Sequence, residues 1–273
     1  MRVPDEVLQG VTFVCYRDGS GTISLAGTGF IVGKEVGREG ETDAVFLYTI
    51  TAKHVLDGIR KKTVDDKVYL RLNTIDNGAR LFRTDIDNWL SHPEDSVDAV
   101  AAHTQLPLDD LDTLYIPNDT LATQQVINEK NIGVGDEVFI TGLFIHHFGE
   151  ERNQPIIRIG NISMLDGEPV TVEGFGSMDA YLIESRSLGG LSGSPVFVHL
   201  PPLKPTVSVG KFYLIGLVHG HWDIPISLVD NFVKDQKTEN AVNVGIAIVV
   251  PAIKILEIIN QSAFREIRQQ KLD

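Results

Sequence analysis

Ser192 has the sequence context of an activated serine. It stands in the stretch G-L-S-G-S-P, from Gly190 to Pro195, which runs on into an apolar segment typical of a buried strand. Acyl transfer requires a nucleophilic oxygen beside backbone N–H groups that stabilise the charge developing on the substrate carbonyl. Gly190 and Gly193 permit the sharp turn that would present such groups, although an ordinary turn between strands could have the same letters. We predict that Ser192 is a nucleophile and that the N–H groups of Gly190 and Ser192 form an oxyanion hole.

His54 and Asp98 are the residue types that a serine nucleophile needs. His54 follows a strand-like run and enters the segment T-A-K-H-V-L, which could form a helical turn. Asp98 is the only acid in the apolar segment 97–102, and a buried carboxylate requires a partner such as an imidazole N–H. Alone, His54 suits a structural role and Asp98 suits a surface turn. Together with Ser192 they predict a triad, in which the histidine accepts the serine proton and the aspartate orients the histidine.

Composition and charge narrow the class of protein. The 273 residues are 42% apolar, which suffices for a packed core, and the net charge is −13. An acidic balance repels phosphate backbones, so we expect no nucleic-acid partner. Cys15 is the sole cysteine, which excludes an internal disulfide and fits a reducing compartment. The N-terminus lacks a signal-peptide pattern and no segment reaches the length of a membrane span, so we expect a cytoplasmic protein with no membrane partner.

Short apolar and β-branched runs alternate with turn residues along most of the chain. This spacing predicts antiparallel barrels or sandwiches, beginning with a hairpin at residues 11–16 and 22–32. Residues 105–131 are less strand-like and predict a linking segment, with a short helix capped near Asp119. An apolar stripe after Pro251 predicts one C-terminal helix that ends near Gln269. The other predicted strands are residues 44–51, 68–73, 79–85, 133–142, 156–163, 180–184, 195–200, 211–219 and 242–249.

Three motifs in this order resemble those of trypsin-like, chymotrypsin-fold serine peptidases of the bacterial type. They are T-A-K-H-V around His54, D-A-V from Asp98 and G-L-S-G-S-P-V around Ser192. G-T-G-F-I-V, G-D-E-V-F-I-T-G and I-G-L-V-H-G add further matches. The resemblance implies an all-β fold of two six-stranded antiparallel β-barrels with the triad between them. The boundaries we expect within this one peptidase domain are residues 1–110 for the first barrel, 111–132 for a linker, 133–250 for the second barrel and 251–273 for the C-terminal helix.

The resemblance also indicates a substrate pocket and two departures from the family pattern. Leu191 stands where digestive members have an aspartate that pairs with a newly cut N-terminus, so we expect no zymogen activation of that kind; the disulfides of secreted members are missing too. Arg186 would lie at the pocket base and suit an acidic side chain, or it could pair with Glu184 or face solvent. The pocket wall, which would also pair with substrate backbone, would consist of Leu217, Val218, His219, Gly220 and His221.

Three function classes fit these residues. A serine endopeptidase that cleaves proteins or peptides through an acyl-enzyme is favoured over a peptide-binding module of the same fold, inactive or gated by a partner, and over an esterase. A regulatory protein could bind residues 105–131 or 223–237. We expect no cofactor. His219 and His221 could reach one metal ion, but no third ligand is evident in the sequence, so we expect no metal centre either.

Overall fold

The computed structural model describes residues 3–37, 44–165, 167–172, 175–185, 190–200, 211–225 and 241–272, without the side chains of residues 223–225 and 241–244. Arg186 lies outside the described residues, as do residues 226–237 of the segment that we considered for a regulatory partner. Two β-sheet units follow one another along the chain, and two helices end it.

The N-terminal half forms an eight-stranded sheet, not the closed six-stranded barrel that the sequence predicted. Its strands are β1 (Val11–Arg17), β2 (Ile23–Val36), β3 (Ala44–Thr51), β4 (Lys67–Asn73), β5 (Ala79–Asp85), β6 (Trp89–Ser91), β7 (Val100–Thr104) and β8 (Ile116–Pro117). Their order is β5-β4-β1-β2-β3-β7-β6, and β8 pairs with β2 in parallel. Closure would require β5 to pair with β6. The sheet stays open because β6 has only three residues and β5 exposes most of its side chains, as edge strands do.

The predicted hairpin at the start of this sheet is confirmed. β1 and β2 pair antiparallel from Val11 opposite Phe30 to Arg17 opposite Ile23. β3 in turn pairs antiparallel with both β2 and β7. This places the end of β3, where the sequence predicts the catalytic histidine, in the middle of the sheet and next to the start of β7.

The C-terminal half contains the closed six-stranded barrel that the sequence predicted. Its strands are β9 (Glu137–Gly142), β10 (Ile156–Met164), β13 (Tyr181–Glu184), β14 (Pro195–Leu200), β15 (Lys211–Pro225) and β16 (Ala241–Pro251). They close in the order β10-β13-β16-β15-β14-β9, each neighbouring pair antiparallel. A separate hairpin, β11 (Val170–Val172) with β12 (Gly176–Met178), lies between β10 and β13 in the chain.

The helices are short. They are α1 (Glu6–Gln9), α2 (Lys53–Arg60), α3 (Gln124–Lys130), α4 (Ala252–Ile259) and α5 (Ser262–Leu272), with 3-10 turns at Ile86–Asn88, Leu108–Asp110 and Asn118–Thr120. The helix expected near Asp119 begins later, because the Thr123 hydroxyl accepts the N–H of Val126 and caps α3. No helix in the described part of the chain is long and apolar enough to cross a membrane.

The predicted C-terminal helix is two helices, α4 and α5, separated at Asn260. The turn is stabilised by Arg268, whose guanidinium is buried and donates to the Ile259 carbonyl at 2.8 Å and to the Tyr48 hydroxyl at 2.6 Å. These bonds satisfy a carbonyl at the end of α4 and fix α5 to β3. Tyr48, Phe139 and Ile255 belong to one contiguous core that joins the sheet, the barrel and α4. The ends of β3, β7 and β15 are therefore held in place around a single core.

Candidate active site

His54 is presented by the first turn of α2, directly after the buried end of β3. Val55, Leu56 and Ile59 are buried and fix one face of the helix on the core. The His54 side chain lies on the other face and is 41% exposed. The sequence predicted one helical turn here. The helix has eight residues, since its apolar stripe continues to Ile59.

Asp98 reaches His54 because β7 pairs with β3. The antiparallel register sets Val100 opposite Thr51, so the residues just before β7 lie beside the start of α2. The carboxylate is fully buried. Its Oδ1 accepts the backbone N–H of His54 at 2.8 Å and its Oδ2 bonds to His54 Nδ1 at 2.7 Å. Asp98 thus holds His54 by both its backbone and its ring.

The imidazole of His219 shares the same carboxylate oxygen. Its Nδ1 lies 2.5 Å from Asp98 Oδ2, and its ring packs edge-on to that of His54 with centroids 5.3 Å apart. β15 shifts register against β16 between Val218 and Gly220, and such a bulge changes the direction of a side chain. Sequence reasoning missed this contact with Asp98. Gly220 was the signal that could have indicated the bulge.

Asp98 is ionised at neutral pH despite its burial. Burial acts to raise the pKa of this carboxyl, but hydrogen bonds from His219 and His54 outweigh it and bring the pKa well below its usual range. An ionised carboxylate can only accept hydrogen bonds, so both imidazoles carry a proton on Nδ1. In a neutral His54 the lone pair is then on Nε2, where the ring can accept a proton.

Ser192 lies in a turn that is hydrogen-bonded to both halves of the molecule. Its carbonyl accepts the N–H of Thr28 at 3.0 Å, which joins the turn to β2. The Gly193 N–H donates to the Val218 carbonyl at 2.8 Å, which joins it to β15. The backbone on either side of Ser192 is therefore fixed from two directions.

The two glycines of this turn are required by its geometry. Gly190 has a φ of +96° and Gly193 a φ of +83°, in the left-handed region that favours glycine. A Cβ at Gly193 would lie 2.2 Å from the Thr28 carbonyl oxygen and 2.4 Å from Thr51 Oγ1. Only a residue without a side chain fits between Ser192 and the two strands behind it.

The Ser192 hydroxyl is hydrogen-bonded to His219, and no hydrogen bond joins it to His54 among the described residues. Its Oγ donates to the backbone carbonyl of His219 at 3.1 Å. The structure therefore brings the three predicted residues together through His219. The His219 ring contacts Asp98 and its carbonyl contacts Ser192.

Several solved structures are similar to this chain. The HtrA-type protease AlgW, solved with a decapeptide, is 14% identical with a TM-score of 0.51, over 93% of this chain and 65% of that chain. The MamO protease domain from Magnetospirillum magneticum is 16% identical with a TM-score of 0.46, over 85% and 99%. Deg5 is 14% identical with a TM-score of 0.49, over 92% and 87%. No model of a known family and no curated protein matches the sequence.

This chain has the fold of a trypsin-like serine protease domain. The fold expected from the three sequence motifs is thus confirmed, with an open first sheet in place of the first barrel. At 14% identity the likeness to AlgW concerns the fold alone, so any role for an individual residue has to be argued from the geometry described above.

The N–H groups of the predicted oxyanion donors, Gly190 and Ser192, lie in a turn whose other contacts are known. Within the described residues no backbone hydrogen bond uses the N–H of Gly190 or of Ser192. The Gly190 carbonyl accepts the Thr28 hydroxyl at 2.9 Å, and that hydroxyl accepts the N–H of Leu143 at 2.8 Å. The turn before Ser192 is therefore fixed, with two N–H groups that the described chain does not engage.

The predicted pocket wall lies in β15. Leu217 and Val218 are buried, whereas Gly220 and His221 are half-buried. β14 pairs with β15 only as far as Leu217, and beyond it the described residues pair β15 only with β16. In this described stretch, the strand predicted as the pocket wall is therefore paired with β16 along one edge.

The structure also changes the metal prediction. The ligand atoms of His54, Asp98 and His219 all lie within 4.8 Å of one another, and so do those of His92, Glu94 and Glu257. Among the described residues no such group of three includes His221. His219 is thus grouped with two residues of the predicted triad, His54 and Asp98, and not with His221.

Proposed function

We propose that this chain is a serine endopeptidase that cleaves protein or peptide substrates with His54, Asp98 and Ser192. The observation that carries the proposal is the pair of hydrogen bonds from His54 to one buried, ionised carboxylate. This arrangement leaves Nε2 of His54, whose side chain is 41% exposed, free of the proton that Nδ1 carries, so that it can act as a base. The trypsin-like protease fold supports the same assignment.

In the proposed reaction, Ser192 turns its hydroxyl from the His219 carbonyl to Nε2 of His54. The oxygen attacks the substrate carbonyl carbon while the imidazole takes the proton. The resulting imidazolium is stabilised by Asp98 and then gives the proton to the leaving amine. Water hydrolyses the acyl-enzyme by the same route, returning the proton to Ser192.

The turn before Ser192 would stabilise the tetrahedral intermediate. We assign the N–H groups of Gly190 and Ser192 to the oxyanion, because neither is used by another backbone group in the described chain. Among the described residues β14 pairs with β15 only as far as Leu217, which supports binding of the substrate as a strand added beyond that point. The AlgW structure contains a decapeptide, and we propose an extended peptide as the ligand here.

Labelling with a fluorophosphonate, followed by intact-mass measurement and peptide mapping, tests this function. We expect one adduct on Ser192 and none in Ser192→Ala. Ser194→Ala is a matched control, because Ser194 is fully buried and its hydroxyl has no hydrogen-bond partner within the described chain. Labelling of Ser192→Ala at the rate of the unmodified protein would contradict the assignment. Peptide and simple ester substrates then distinguish an endopeptidase from an esterase.

A second candidate is a peptide-binding module whose catalytic step is absent or gated by a partner. It is favoured by one observation, the hydrogen bond from Ser192 to the His219 carbonyl in place of one to His54. For this candidate we expect peptide binding without an adduct. An adduct on Ser192 in the isolated chain would exclude it.

A further inference from the structure

Three side chains at the candidate active site form a typical set of zinc ligands. One ring nitrogen each from His54 and His219 and one carboxylate oxygen of Asp98 all lie within 4.8 Å of one another, and the Nδ1 atoms of both rings contact Asp98 Oδ2. Two imidazole nitrogens and one carboxylate oxygen, with a fourth position left open, are common around accessible zinc ions. We propose that His54, Asp98 and His219 bind Zn²⁺ and that the bound ion stops His54 from acting as a base.

The surroundings of the three ligands suit a divalent cation. The Asp98 side chain is fully buried, and the backbone N–H of His54 holds its Oδ1, which leaves Oδ2 for the ion. A fixed carboxylate of this kind is what outer contacts provide at metal sites. The His54 side chain is 41% exposed and that of His219 is 12% exposed, so the ion can enter from the His54 side.

The geometry requires a small movement of the two rings. Nδ1 lies 2.7 Å from Asp98 Oδ2 in His54 and 2.5 Å in His219. Ligand atoms of a tetrahedral zinc ion are separated by about 3.3 Å, given metal–ligand distances of about 2.0–2.1 Å. Each ring therefore has to move away from the carboxylate by roughly 0.7 Å. The exposed face of His54 leaves room for this movement.

Zinc at Nδ1 would change the tautomer of His54. The neutral ring has one N–H proton, which it now donates from Nδ1 to Asp98. Zinc requires the lone pair of Nδ1, so that proton moves to Nε2, with no net release from a neutral ring. An Nε2 that carries a proton cannot accept one from Ser192. This inhibitory consequence rests on the proposed function, whereas zinc binding itself does not.

Calorimetry on the chelator-treated full chain, titrated with zinc chloride, measures binding without reference to activity. We expect affinity at this site to fall about tenfold or more in His219→Gln and in His54→Gln. Glutamine at position 219 or at position 54 can still donate a hydrogen bond to Asp98, so both variants remove a zinc ligand and still offer a donor to the buried carboxylate. Glu257→Gln, in the cluster with His92 and Glu94, is the control and should leave this site unchanged.

Fluorophosphonate labelling then tests inhibition, with each rate divided by the rate of the same variant without metal. We expect zinc to slow labelling of the unmodified chain and of Glu257→Gln, magnesium to have no effect, and a chelator to restore the rate. Unchanged zinc affinity in both histidine variants would overturn the site. Zinc binding at the site with undiminished labelling would overturn the inhibition. Absence of labelling without metal would overturn the proposed function, and calorimetry would still decide whether zinc binds.

Discussion

Replacing Asp98 by asparagine tests the role of the buried carboxylate most directly. The side chain accepts three hydrogen bonds, from the His54 backbone N–H and from the Nδ1 atoms of His54 and His219. Asparagine has one acceptor oxygen and one NH₂ group in the same shape. The backbone N–H of His54 can only donate, so the amide oxygen must face it. The NH₂ group then faces both imidazoles, which must present a lone pair at Nδ1.

The expected loss follows from this forced change of tautomer. With its proton on Nε2, His54 no longer accepts the proton of Ser192, and the imidazolium loses the charge that stabilises it. The effect of such a wrong tautomer in a serine triad is about 10⁴-fold in rate, which corresponds to about 5.5 kcal/mol of activation free energy. Stability should fall less, because neutral hydrogen bonds replace charge-assisted ones at about 1 kcal/mol each.

The assay is the second-order rate constant of fluorophosphonate labelling, measured by intact mass on protein whose fold is checked by circular dichroism. Nitrogen-15 spectra of the imidazoles report the tautomers directly. Asp95→Asn is the control, since Asp95 is 99% exposed and pairs only with Lys53 at 3.0 Å among the described residues. A folded Asp98→Asn variant labelled within tenfold of the unmodified rate would refute the reasoning.

Three further predictions concern the same elements. Gly193→Ala should slow labelling of Ser192 at least tenfold and lower the melting temperature. The new Cβ would lie 2.2 Å from the Thr28 carbonyl oxygen, and the left-handed backbone conformation adds a strain of about 1–3 kcal/mol. Equal melting curves for the variant and the unmodified chain would contradict this prediction. Burial raises the pKa of the Cys15 thiol to about 12, so Ellman's reagent at pH 8 should react with one thiol in urea and with none in the folded chain. Folding lowers the pKa of Asp98, so this carboxylate stabilises the folded chain above its unfolded pKa of about 3.9, and the stabilisation is lost as the pH falls from there toward the folded pKa. The free energy of unfolding in urea should therefore differ less between pH 7 and pH 3 in Asp98→Asn than in the unmodified chain.

Local patterns predicted most of the strands because their causes are local. β3, β14 and the β1–β2 hairpin were predictable from apolar runs between turn residues. The open first sheet was not predictable in this way, and a closed barrel was expected in its place. Closure depends on whether two distant edge strands can pair. β6 has three residues and β5 exposes most of its side chains, which a count of strands does not reveal. The break between α4 and α5 likewise depends on a distant contact, that of Arg268 with Tyr48.

The residues of the candidate site were likewise predictable only in part. His54, Asp98 and Ser192 could be proposed from residue type and order, and the register of β3 with β7 explains how the first two meet. His219 was expected in the wall of the substrate pocket, and it was considered, with His221, as a possible metal ligand. Its contact with Asp98 depends on the register shift in β15, and a shift of one residue reverses the side of a strand on which a side chain lies. Strand alternation along the sequence therefore predicted that the side chains of His219 and His221 lie on the same face, whereas in the structure the His219 ring contacts Asp98.

The hydrogen bond from Ser192 to the His219 carbonyl is too weak to exclude catalysis. A neutral intramolecular hydrogen bond contributes about 0.5–1.5 kcal/mol, so breaking it reduces the population of the attacking rotamer by a factor of roughly 2 to 12. Loss of the base through a wrong tautomer has an effect of about 10⁴. The resting orientation of the Ser192 hydroxyl should thus affect the rate much less than the hydrogen bonds that fix the His54 ring. Whether this chain cleaves peptides depends mainly on Asp98 keeping the His54 proton on Nδ1.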